Sequence, residues 1–70
     1  MDKFNLKIII DYMNEHNISK TEFCRRCKID SSVLKKIFNQ QFNIRIKSLY
    51  AIIKELNIKV KDIFITSKDQ

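Results

Sequence analysis

The stretch Ser19-Lys20-Thr21-Glu22-Phe23-Cys24-Arg25-Arg26-Cys27-Lys28-Ile29-Asp30-Ser31-Ser32-Val33-Leu34-Lys35-Lys36-Ile37-Phe38 holds two helix starts in quick succession. Ser19 to Glu22 reads as a capping box. The Ser19 hydroxyl accepts from the backbone N–H three residues on, and the Glu22 carboxylate returns to the N–H of Ser19. Ile18 and Phe23 flank it as a hydrophobic staple. Asp30 is a good N-cap for the second helix. Phe23, Cys24 and Cys27 form one buried stripe; Val33, Leu34, Ile37 and Phe38 form the other. Two short helices crossing steeply over a tight turn need a small side chain where they meet, and Cys24 supplies it. Ile29 plugs the turn. Ser31, Ser32, Lys35, Lys36, Asn39 and Gln40 are left on the outer face of the second helix.

Working outward, residues from about 3 to 16 gather Leu6, Ile8, Ile9, Tyr12 and Met13 on one side of a helix, with Lys7, Asp11 and Asn14 opposite. A polar loop, Gln40 to Asn43, leads to a helix from about Arg45 to Leu56. Its expected apolar face is Ile46, Leu49, Tyr50, Ile52, Ile53 and Leu56. Ile58, Val60, Ile63 and Phe64 suggest a short fifth helix. The chain has no Gly and no Pro, residues on which all-β folds lean for their turns. The expectation is an all-α, compact five-helix bundle, one domain over 1–66 with a frayed tail at 67–70.

The formal net charge is +6, and all of it lies between Lys20 and Lys47. That segment holds eight basic residues against Glu22 and Asp30, while the remainder balances. Such localisation suits a polyanion, against the plainer reading of a solvated basic face. The longest apolar run, Leu49 to Ile53, is far too short for a membrane span. The first residues carry no signal-peptide h-region, so a cytoplasmic location is expected. Cys24 and Cys27 are spaced as C-x-x-C, but both positions suit a core and no βαβ context surrounds them. With His16 the only histidine, four good metal ligands are lacking. His16 suits a helix C-terminus. No catalytic constellation appears, and neither an enzyme nor a cofactor is expected.

The order and spacing of these pieces resemble the Cro/lambda-repressor-like helix-turn-helix family, often called the Xre family. The resemblance runs from about Leu6 to Phe64. It is carried by Ile18-Ser19-Lys20-Thr21-Glu22-Phe23-Cys24, by Ile29-Asp30-Ser31-Ser32-Val33-Leu34, by Ile46-x-x-Leu49 through Leu56-Asn57-Ile58, and by Asp62-Ile63-Phe64. Lys28 and Gln40 stand where the family commonly has Gly, Ile44 where it has Pro, and Phe38 where it has an acidic residue. A non-Gly residue held at positive φ costs about 1 kcal/mol.

The resemblance implies a regulator, expected to be a repressor of bacterial, phage or mobile-element type, that binds double-stranded DNA in the major groove as a homodimer. It implies base contacts from Ser31, Ser32, Lys35 and Lys36, all on the outward face found from periodicity alone. Lysines can donate to guanine O6 and N7, and serines pair with several bases. It implies phosphate contacts from Lys20 and Asn39; Gln40, Gln41 and Asn43 are candidates from the loop. The rival reading is an interaction module, antitoxin-like, that keeps the fold without reading DNA. Phe38 and Phe42 are its candidate partner surface, or else they pack under the loop.

Overall fold

The computed structural model describes residues 2–66, with Thr66 described by its backbone alone; the expected tail at 67–70 lies outside them. The elements in order are β1 (Asp2–Phe4), α1 (Leu6–His16), α2 (Lys20–Cys27), α3 (Ser31–Phe38), α4 (Ile46–Leu56), a 3-10 turn (Val60–Ile63) and β2 (Phe64–Thr66). Among the described residues the architecture is thus mostly helical, but with four α-helices rather than five.

Ile9, Phe23, Ile37, Ile52 and Ile63 are fully buried, one from each helix and one from the 3-10 turn. Burying one such side chain is worth about 1.5–3 kcal/mol. Cys24 and Cys27 join the same core as free thiols. Among the described residues, α2 packs on both α3 and α4. Tyr12 of α1 donates from its hydroxyl to the Glu55 carboxylate of α4, and its ring meets Phe23 edge-on at 5.5 Å.

Four chain reversals use one device. Asn17, Lys28, Gln40 and Asn57 all lie at φ between 53 and 59°. At each, the N–H of that residue and of the next fold back onto carbonyls near the helix end. At Lys28 these bonds are Lys28 N–H to Arg25 O, 3.2 Å, and Ile29 N–H to Cys24 O, 3.0 Å. This is the Schellman ending, which glycine ordinarily supplies. The residue after the left-handed position is Ile18, Ile29 or Ile58 in three cases, each packed against the core.

The ends of the chain depart from the sequence reading. Residues 2–4 are a strand, not the start of α1. β1 pairs antiparallel with β2 in the register Asp2↔Thr66, Lys3↔Ile65, Phe4↔Phe64, and the Asn5 N–H extends the ladder to Ile63 O at 2.7 Å. Phe4 is buried and stacks on Phe64 at 5.3 Å. The expected fifth helix stops after one 3-10 turn because Phe64 is already extended, with ψ 149°, to meet β1. Ile46 and Tyr50, expected on the buried face of α4, are 70% and 58% exposed. Leu49, Ile52 and Ile53 fill the available interface, so the stripe is narrower than the sequence suggests.

Lys28 is exposed, so its side chain loses little if removed, while its backbone sits where a Cβ crowds the carbonyl. Lys28→Gly is expected to stabilise the fold by about 0.5–1 kcal/mol, after the added flexibility of the unfolded chain is deducted. The denaturant midpoint measures this, and an unchanged or lower midpoint would show that the turn is not strained.

Candidate nucleic-acid interface

α3 presents two unlike faces because its apolar residues recur at helical spacing. Leu34 and Ile37 are buried, while Ser31, Ser32 and Lys35 are exposed and Lys36 is half-buried. Asp30 precedes the helix in extended conformation. Its carboxylate does not cap the helix N–H groups; it accepts from the Ser32 hydroxyl at 3.2 Å. Ser32 is therefore oriented locally, with its oxygen lone pairs still available outward.

α2 meets α3 so that its first turn stands beside this face. A concavity of about 340 Å³ opens between them, bordered by Lys20, Thr21, Ser31, Lys35, Phe38 and Asn39. The structure thus gathers Lys20, Ser31, Lys35 and Asn39 of the sequence-derived candidates. Thr21 was not among those candidates. Its signal was available in the position itself, the first turn of a helix, where backbone N–H groups favour an anion. Ser32 and Lys36 lie on α3 outside this lining. Gln41 and Asn43 are exposed in the following loop.

Gln40 is tied to the terminal strand. Its carboxamide accepts from the Phe4 N–H at 2.7 Å and donates to the Phe4 carbonyl at 3.3 Å. Both polar atoms of the carboxamide are thus engaged by the open edge of β1. Phe42 is 51% exposed yet packs edge-on against Phe4 at 4.7 Å. Phe38 is half-buried against the core, and the Lys20 ammonium lies 4.4 Å from its ring centre.

The charges sort themselves by partner. Glu22 does not complete the capping box: Ser19 accepts from the Glu22 N–H at 3.2 Å, but the carboxylate turns to Arg25 and Arg26. Hydrogen bonds from Arg25 and then Arg26 hold that carboxyl below its ordinary range. Lys20, Lys35 and Lys36 make no ion pair among the described residues. His16 stacks on Tyr12, its Nδ1 2.9 Å from the Tyr12 carbonyl. No group of three His, Cys, Asp or Glu that could hold a metal ion occurs among the described residues. No described helix is long and apolar enough to cross a membrane.

A family model, that of the Cro/C1-type HTH DNA-binding domain, matches residues 9–69. The match begins inside α1, so β1 lies outside it. No curated protein and no solved structure matches the chain significantly.

The C-x-x-C pair carries its own expectation. Burial, then Glu55 and Cys24, pushes the Cys27 thiol up to about 12, and burial followed by Asp30 raises Cys24. Unfolded thiols ionise near 9, so above that pH the unfolded chain loses protons that the folded chain keeps. Stability should therefore be intact below pH 9 and fall as pH rises toward 12. Cys27→Ala should flatten part of that fall in urea titrations. Alkylation of both thiols at pH 8 should be slow unless the chain is unfolded. Rapid alkylation of the folded protein would contradict the burial.

Proposed function

The chain belongs to the family of Cro/C1-type helix-turn-helix DNA-binding domains, and from that premise we propose that it is a sequence-specific transcriptional repressor of bacterial, phage or mobile-element type. The observation that carries this reading is the outer face of α3, where Lys35 and Lys36 stand without carboxylate partners among the described residues, beside Ser31 and Ser32. A major groove is wide enough to admit a helix such as α3. In this reading Ser31, Ser32, Lys35 and Lys36 meet base edges. Lys20, Asn39, Gln41 and Asn43 meet phosphates, which position the helix without carrying sequence information.

One such module contacts few base pairs, so specificity in a genome calls for two copies on a palindrome. Ile65 supports a homodimer contact at the end of the chain: it is 48% exposed on β2, paired across the strands with Lys3. A second reading, a partner-binding module, is favoured by Ile46 and Tyr50. They stand one helical turn apart and exposed on α4, with Phe42 half-exposed on the loop.

Selection of bound sequences from random duplex DNA separates the two readings. A regulator enriches a palindrome with half-sites about one helical turn apart; an interaction module enriches nothing. Affinity should fall with salt at a log–log slope of about −0.9 per phosphate neutralised. Lys36→Ala should cost about 1–3 kcal/mol on the best site only, whereas Lys20→Ala should weaken all sequences alike. Uniform loss in both would mean that α3 is not oriented as proposed. Ile65→Lys should leave the fold intact and reduce cooperative binding to a full palindrome. Undiminished cooperativity would remove Ile65 from the dimer contact.

A further inference from the structure

Phe38 has no part in the roles assigned to the DNA-facing residues, yet its ring is where the Lys20 ammonium rests, 4.4 Å from the centroid. Lys20 is the first residue of α2 and Phe38 the last of α3, so the contact spans the helix-turn-helix at the side away from its turn. The ring is anchored against the core, whereas Lys20 is exposed. The Lys20 ammonium makes no hydrogen bond or ion pair among the described residues, and both residues border the concavity that also holds Ser31, Lys35 and Asn39.

A lysine has a long flexible stem, and ordering it on binding costs affinity. A carboxylate partner would order it but would also cancel its charge and compete with an incoming anion. An aromatic face orders the ammonium and leaves the charge in place.

We propose that Phe38 is a positioning residue for phosphate binding, its ring holding the Lys20 ammonium at the mouth of the concavity before a backbone phosphate of duplex DNA arrives. The role rests on the DNA-binding reading of α3. It takes the place in the site that an ion pair would otherwise fill, without the neutralisation an ion pair brings.

Two measurements test it. In the free protein, the Lys20 side-chain protons nearest the ammonium should be shifted upfield by the Phe38 ring current relative to those of exposed lysines. The shift should vanish in Phe38→Leu and persist in Phe38→Tyr. Titration against a non-specific duplex at fixed low salt supplies the second readout. Phe38→Leu should weaken binding about two- to fivefold, and Phe38→Tyr should restore it. In a Lys20→Ala background Phe38→Leu should change nothing. The salt slope should become shallower by about 0.9 in Lys20→Ala and stay unchanged in Phe38→Leu. Ordinary Lys20 shifts in the parent protein, which need no variant to fold, would overturn the positioning role alone. So would an equal loss with Phe38→Leu in the Lys20→Ala background. A parent protein that shows the ring-current shift but binds no duplex would overturn the DNA-binding reading and this role together.

Discussion

A chain without glycine must still end its helices, and here each of the four described helices is followed within two residues by an L-residue at positive φ. That conformation crowds the Cβ against the backbone, and asparagine tolerates it better than lysine or glutamine. Asn17 and Asn57 adopt it after α1 and α4; Lys28 adopts it after α2, and Gln40, one residue beyond Asn39, after α3. The strained pair is held in place by the double backbone bond at each ending. At Lys28 the neighbouring Ile29 adds to this by seating against the core. The angle between α2 and α3, and so the direction in which α3 presents its polar face, hangs on that reversal.

Gln40 carries a second duty. Its carboxamide does for β1 what a third strand would do, pairing the N–H and the C=O of Phe4 together. Antiparallel pairing alternates, so these are the groups that cannot reach β2. Phe4 is then enclosed by Phe64 and Phe42. α3 is thereby held at both ends, by the Lys28 turn before it and by the Gln40 clamp to the terminal sheet after it. A recognition surface gains precision from this rigidity.

Electrostatics obey the same economy. Glu22 collects Arg25 and Arg26 on α2, leaving Lys20, Lys35 and Lys36 without an ion pair among the described residues. These lysines sit on helices rather than on free loops, so their spacing is set by the backbone. Being exposed, Lys20 and Lys35 should interact with an anion in a salt-dependent way.

α2, α3 and their packing against each other are legible in local sequence alone. The cap at Ser19, the helix start after Asp30, the helical spacing of Phe23, Cys27, Leu34 and Ile37, and the outward set Ser31, Ser32 and Lys35 are all local signals, readable within one or two turns; that the Asp30 carboxylate turns to Ser32 instead of capping is not among them. The charge concentrated between Lys20 and Lys47 is equally legible. The remaining features come from contacts between segments far apart along the chain. Residues 2–4 become a strand because their partner lies about sixty residues away along the chain, a pairing that no periodicity can report. The apolar residues near the end serve that sheet after a single 3-10 turn. Gln40 looks like a polar surface residue until the edge of β1 is brought to it. Ile46 and Tyr50 fit the apolar stripe of α4, but burial needs a neighbour, and Leu49, Ile52 and Ile53 already occupy the interface. Local chemistry chooses helices and their caps; which polar or apolar groups are finally used depends on which distant segments the core brings together.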